Sequence, residues 1–259
     1  MIYSPTSKPE GTIRDWLNYH AKTSPNKVSY QFSDNGSELT WLELLNRVKL
    51  ITNHLLRLNI RKGESIAICM SNGSSALEIF YAIIYGGFRV TPLNLAAGPA
   101  ALGHAISHSN CNFIFYDEMQ SDVLSNALKE TNANPTIVKV RKDTFKDTKE
   151  TLLLHDITPE DHALLMYTSG TTGVPKGVVH SHSSLLSGGW TTSIAHELKS
   201  TDRALCVLPL YHINGLCVTV IAPLISGGSS VICPRFSSSK FWQDCEKYSI
   251  TWFSVVPTI

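Results

Sequence analysis

Ala163-Leu164-Leu165-Met166-Tyr167, running into Thr168-Ser169-Gly170-Thr171-Thr172-Gly173-Val174-Pro175-Lys176-Gly177, is the stretch on which the reading of this chain turns. The apolar run at residues 163–166 has the length and composition of a buried strand. In the ten residues that follow Tyr167 stand four hydroxyl side chains, three glycines and one lysine. Glycine tolerates positive φ and has no side chain in the way, so backbone N–H groups can turn towards an anion. The hydroxyls of Thr168, Ser169, Thr171 and Thr172 add donors, and Lys176 adds a full positive charge. That set of groups suits a polyphosphate. Val178-Val179-His180 and Ser181 then lead into a helical pattern.

The kinase-type phosphate loop is written G-x-x-x-x-G-K-[ST], with a magnesium-binding hydroxyl after the lysine. Here Pro175 precedes Lys176 and Gly177 follows it, so that assignment fails. The pattern as it stands closely resembles the phosphate loop of the adenylate-forming superfamily, which includes acyl-CoA synthetases, aryl-CoA ligases, luciferases and peptide-synthetase adenylation domains. A shorter glycine motif would be explained as well by a surface turn that binds nothing. The contiguous ten-residue match favours phosphate binding.

The chain has 259 residues, 43% hydrophobic and 17% charged, an ordinary globular composition able to bury a core. Its 22 Lys and Arg against 21 Asp and Glu give a net charge of +1, with no basic patch to suggest nucleic acid or an anionic membrane. Residues 1–11 lack the apolar core of a signal peptide, and the longest apolar stretch, residues 216–225, is too short to span a bilayer. Six cysteines lie far apart without a C-x-x-C pair, several inside strand patterns, which points to a reduced, cytoplasmic setting.

Residues 28–32 and 38–41, joined through Asn35-Gly36, read as a hairpin in which Asn-Gly supplies two positive-φ positions. Thr40 and Glu43 form a capping box before an amphipathic helix over residues 41–58. Strands are predicted at 65–70, 88–92, 112–116, 136–140, 163–167, 204–208, 230–233 and 251–256. Helices are predicted at 75–85, 99–109, 121–130, 182–198, 215–225 and 238–248. This alternation implies βαβ units: an α/β fold of layered, mainly parallel sheets covered by helices. The polar stretch at 141–150 marks an exposed connection or subdomain join, which with its surroundings falls near 141–160.

Pro209-Leu210-Tyr211-His212-Ile213-Asn214-Gly215 is the second informative stretch. It sets an aromatic–imidazole pair at a strand's exit, the edge where open α/β sheets bind ligands. It resembles the P-L-[FY]-H-x-x-G segment of the CoA-ligase branch, where peptide-synthetase domains usually carry Phe-Asp-x-Ser. By that resemblance Tyr211, His212, Asn214 and Gly215 line an acyl and CoA pocket; a satisfied core histidine is the competing reading of His212. Residues 39–44 resemble the family's L-T-Y-x-E-L segment. Residues 86–94 resemble its G-x-x-x-x-P-L-N segment, with a packing role for the fold. His104 and His108 have zinc-compatible helical spacing, but no third ligand stands near them, and a solvated helix face is the simpler reading. His180 and His182 flank the loop at a strand end.

The resemblance implies an ATP-dependent acid–CoA ligase: a carboxylic acid and ATP give an acyl-adenylate and pyrophosphate, and the acyl group then passes to CoA. Thr168, Ser169, Gly170, Thr171, Thr172, Gly173 and Lys176 would hold the ATP phosphates, with Mg²⁺ sharing the charge. Further family segments, for adenine, ribose and a catalytic lysine, have no counterpart up to Val256-Pro257-Thr258-Ile259. The expectation is therefore an incomplete large N-terminal domain spanning residues 1–259, with no catalytic residue of its own, no metal site and no turnover alone. A peptide-synthetase-like domain that loads a carrier protein, or a non-catalytic binding fragment, are the alternatives.

Overall fold

The computed structural model describes residues 4–141, 143–145, 152–168 and 175–257. In chain order its elements are α1 (Ile13–Thr23), β1 (Val28–Phe32), β2 (Glu38–Thr40), α2 (Trp41–Arg57), β3 (Ser65–Cys69), α3 (Ser74–Gly86), β4 (Arg89–Pro92), α4 (Pro99–His108), β5 (Phe113–Tyr116) and α5 (Ser121–Lys129). There follow β6 (Thr136–Lys139), β7 (His162–Thr168), β8 (Lys176–Ser181), α6 (His182–Ala195), β9 (Arg203–Cys206), α7 (Ala222–Ser226), β10 (Ser229–Ile232), α8 (Ser238–Lys247) and β11 (Trp252–Phe253). The residues divide into two compact units, the first comprising Met1–Asn46, Asn72–Ser74 and His182–Ile259, the second Arg47–Ser71 and Ser75–Ser181.

The first unit holds a five-stranded sheet in the order β11-β9-β10-β1-β2. All neighbours are parallel except β1 and β2, which form the predicted hairpin. Within its turn Gly36 has φ +72°, whereas Asn35 has no positive φ; its side-chain oxygen instead accepts the Ser37 N–H at 2.8 Å. The longer connection, residues 33–37, removes the need for two left-handed residues. Helix α1 was not anticipated from the sequence. Its capping box uses Asp15 instead of Glu or Gln: Thr12 N–H donates to Asp15 at 2.8 Å, and Asp15 N–H donates back to the Thr12 hydroxyl at 3.3 Å. The buried stripe is Ile13, Trp16, Leu17, His20 and Ala21, the spacing of one helix face. The capping box of α2 is as predicted, with Thr40 N–H donating to Glu43 at 2.8 Å.

Where a helix is predicted at 215–225, residues 214–221 take the wider π-helical form before α7, which is followed by Gly227 at φ +71°. Pro223 has no N–H to donate one turn back, which disfavours a continuous α ladder here. Within the segment the Thr219 hydroxyl also donates to the Gly215 carbonyl, at 2.5 Å.

The second unit holds a six-stranded sheet, β6-β5-β3-β4-β7-β8, parallel except for the β7–β8 pair. Residues 178–181 do lead into a helix, α6 from His182, and together with Lys176 and Gly177 they form a strand antiparallel to β7 that the sequence reading did not include. Strand β3 is buried throughout, and Ala67, Cys69, Leu102, Ile106, Ile114 and Leu124 belong to one core cluster. Gly103 lets α4 approach α5: a Cβ there would stand 2.9 Å from the Ala127 carbonyl oxygen. Residues 142 and 146–150 of the polar connection lie outside the described residues. After it, Leu152 N–H donates to Asn53 at 2.9 Å and Asp161 pairs with Lys62 at 2.8 Å.

All six cysteines are free, and five of them are buried. Burial raises their thiols above the ordinary range, Cys206 to about 12. Among the described residues no helix is long and apolar enough to cross a membrane.

Candidate functional site

The glycine-rich stretch is carried by a two-stranded stem in the second unit. Leu165 pairs with Val179, Met166 with Val178, Tyr167 with Gly177, and Thr168 with Lys176. Residues 163–167 of β7 are buried and anchor the stem, while the β8 residues from Lys176 to Val179 are exposed. Thr168 and Lys176 thus face each other on the last rung, both solvent-accessible. Ser169, Gly170, Thr171, Thr172 and Gly173 lie outside the described residues. Among the described residues none forms an ion pair with Lys176. A hydroxyl donor and an uncompensated ammonium on one exposed rung fit an anionic group.

Beside this rung lies a cavity of about 130 Å³, lined by Asn94, Ala101, Leu102, Ala105, Tyr167 and Thr168 among others. Asn94 ends the Pro-Leu-Asn segment assigned to packing from sequence. Leu93 does pack, being buried, but Asn94 borders the cavity and bonds the Ala96 N–H at 3.1 Å. Its neighbourhood depends on where α4 lies, which no local pattern discloses.

Tyr211, His212, Asn214 and Gly215 come together in the first unit, Tyr211 and His212 in the turn after β9 and Asn214 and Gly215 at the start of the π-helical segment. The Tyr211 and His212 rings meet edge to face with centroids 4.8 Å apart. Partial loss of solvent raises the Tyr211 phenol and lowers the His212 imidazole from their ordinary values. His212 is exposed, not a core histidine, and its backbone holds the turn: its N–H donates to Pro209 at 3.1 Å and its carbonyl accepts from Leu216 at 3.0 Å. Asn214 accepts the Ser254 hydroxyl at 3.0 Å. Gly215 is required by space, since a Cβ would lie 2.5 Å from the Pro209 carbonyl oxygen.

The residue that fixes this turn was missed from sequence. The Asn72 side-chain amide donates to the carbonyls of Leu208 at 3.0 Å and Cys233 at 3.1 Å, and its oxygen accepts the Leu210 N–H at 2.9 Å. The local signal was only an Asn before Gly73 in a turn.

The remaining histidines separate by environment. His182 starts α6, is buried, and accepts the Ile13 N–H on Nδ1 at 3.4 Å, a structural role. His180 lies on β8, where burial lowers its imidazole. His104 and His108 belong to no group of three possible metal ligands among the described residues. His108 instead bonds the Tyr167 hydroxyl, at 2.8 Å.

Residues 17–259 match the family model of the AMP-binding enzymes. The chain is 35% identical over 255 residues to a sulfoacetate–CoA ligase of Cupriavidus necator, covering 96% of this chain and 50% of that protein. It is 28% identical over 250 residues to a feruloyl-CoA synthase of Amycolatopsis, covering 95% and 49%. The chain therefore spans about half the length of the curated relatives it matches. Among solved structures it superposes on the O-succinylbenzoate–CoA synthetase of Bacillus subtilis in complex with AMP, at TM-score 0.84 and 25% identity, over 97% of this chain and 63% of that one. A long-chain fatty-acid–CoA ligase of Archaeoglobus fulgidus gives 0.86 at 21% identity, over 100% and 54%, and supports the fold alone. With the β7–β8 pair that flanks the glycine-rich stretch, the mainly parallel sheets and a match from residue 17 to residue 259, this chain belongs to the AMP-binding enzyme family.

Proposed function

We propose that this chain supplies the phosphate-gripping and acid-side elements of an ATP-dependent acid–CoA ligase. The observation that carries the reading is the closing described rung of the β7–β8 stem, where Thr168 faces Lys176, the two residues that bracket the glycine- and hydroxyl-rich stretch of the sequence. In this reading Thr168, Ser169, Gly170, Thr171, Thr172, Gly173 and Lys176 grip the phosphates of ATP. Joining a carboxylate to a phosphate brings two anions together, and Lys176 with the hydroxyl and backbone donors of residues 168–173 offsets that repulsion, with Mg²⁺ sharing the load. Tyr211, His212, Asn214 and Gly215 shape the acid and CoA side. The substrate class is a carboxylic acid; the similarity to ligases of sulfoacetate and ferulate supports acid activation without selecting one acid. A cytoplasmic setting is part of the proposal, in keeping with six unpaired cysteines.

Calorimetric titration of the chain with MgATP and with pyrophosphate tests the phosphate assignment, with Lys176→Ala as control. The expected result is saturable binding that weakens at least about tenfold in the variant, the scale of one charge-assisted contact. Equal titration curves for the two proteins would overturn it. Acid-dependent ATP–pyrophosphate exchange, with fatty, aryl, sulfonated and amino acids as the panel, tests the acid class. Exchange driven by amino acids alone would replace the CoA-ligase reading with carrier-protein loading.

A further inference from the structure

His108, the last residue of α4, packs against the β7–β8 stem although no motif marks it. Its Nδ1 is 2.8 Å from the Tyr167 hydroxyl, and the two rings meet edge to face, centroids 5.8 Å apart at 81°. One helical turn back, His104 stacks on His108 at 5.5 Å and also presents its ring to the edge of Tyr167 at 6.5 Å. Tyr167 is paired with Gly177 and immediately precedes the Thr168–Lys176 rung. Gly177 borders both rings: a Cβ there would meet Tyr167 Cε1 at 3.5 Å and His108 Cε1 at 3.6 Å, ordinary contact distances, and would crowd only the end of the Leu165 side chain, at 2.9 Å.

Core packing does not account for His108, which is exposed, and metal binding lacks further ligands among the described residues. What His108 does is partner, together with Ser109, the hydroxyl of a tyrosine that is 8% exposed, a group whose hydrogen bonds must be met within the protein. The Tyr167 ring is thus contacted by both imidazoles and bonded at its hydroxyl, and its backbone is the second-last rung of the stem. We propose that His108 is a positioning residue for the phosphate loop: through Tyr167 it fixes the end of the β7–β8 stem and so the point at which Lys176 presents its charge. The inference rests on the polyphosphate reading of that loop. Its physical basis is that a strand pair whose end frays or slips misdirects every side chain beyond it.

The test compares His108→Ala, Tyr167→Phe, the double variant, and His108→Asn, whose amide can reach the position of Nδ1. Two readouts are taken well below the melting range: amide hydrogen exchange at residues 176–179, and pyrophosphate affinity by calorimetry. We expect either single removal to speed that exchange and weaken pyrophosphate binding by about fivefold, the scale of one net hydrogen bond. The double variant should be no worse than the worse single one, and His108→Asn should restore most of both. A stem and an affinity unchanged in both single variants, additive losses in the double variant, or failure of His108→Asn to restore what His108→Ala loses would overturn the proposal. If the wild-type chain binds no pyrophosphate, the polyphosphate reading falls by itself. The exchange rates and their coupling then decide whether His108 positions the stem.

Discussion

Asn72 accepts the Leu210 N–H at 2.9 Å while its own amide N–H groups reach the carbonyls of Leu208, at 3.0 Å, and Cys233, at 3.1 Å. One short side chain thereby ties the exits of β9 and β10 and sets the direction in which Tyr211 and His212 leave the sheet. At about 1 kcal/mol net per hydrogen bond, Asn72→Ala should cost roughly 3 kcal/mol in urea unfolding and accelerate exchange of the Leu210 amide. Asn72→Asp should be at least as harmful at neutral pH, because a carboxylate would face two carbonyl oxygens, and should recover on acidification. A cost under about 1 kcal/mol for the alanine variant would mean that the turn holds without it.

Gly215 gives a sharper steric test. An added Cβ would fall 2.5 Å from the Pro209 oxygen and 3.0 Å from the Leu208 oxygen, both backbone atoms that cannot swing aside. Gly215→Ala should therefore destabilise by about 3 kcal/mol despite alanine's better helix propensity. It should also alter the chemical shifts of the neighbouring Tyr211 and His212 rings. Gly36→Ala is the informative control: nothing lies within 4 Å of that Cβ, so only the cost of its positive φ is felt, about 1 kcal/mol.

His20 makes stability depend on pH. It stacks on Trp41 with centroids 4.5 Å apart and donates from Nε2 to the Leu224 carbonyl at 2.6 Å. Burial, with a smaller contribution from the Lys27 charge, holds its imidazole down to about 4, against a hydrogen bond to Leu224 that acts the other way. The unfolded chain therefore binds this proton more readily than the folded one. Stability is complete above the ordinary value of 6.5 and falls as pH drops from there towards 4, by roughly 3 kcal/mol in all. Urea unfolding at pH 7.5, 6, 5 and 4 checks this, and His20→Phe should flatten that part of the profile.

How much of this was legible in the sequence depends on how local each cause is. The α3 and α4 segments, and the strands of residues 65–69 and 113–116, were readable because their apolar spacing and the turns around them are local. Helix α1 has an equally regular buried stripe, from Ile13 to Ala21, but Asp15 in its capping box lacks the usual Glu or Gln signature. Strand β8 escaped because its exposed valines show no alternation; it is a strand by virtue of pairing with β7. The site divides in the same way. Thr168, Lys176, Tyr211 and His212 stood out by motif, whereas Asn72 works through segments 136 and 161 residues away. The partnership of His108 with Tyr167 spans 59 residues, and only the sheet order brings the two together.

The Thr168–Lys176 rung separates the two kinds of force assigned to the loop's base. Thr168→Val keeps the β-branched shape, so strand propensity and the register opposite Lys176 should survive, with a stability change under about 0.5 kcal/mol. What it removes is one hydroxyl donor, and pyrophosphate affinity should fall by about fivefold at all ionic strengths. Lys176→Ala removes a charge from an exposed position, so its larger loss should shrink as salt rises and screens the Coulomb attraction. Titrations of both variants at low and high salt therefore distinguish a donor from a cation. Loss in Thr168→Val that vanishes at high salt would mean that the hydroxyl acts only by placing Lys176.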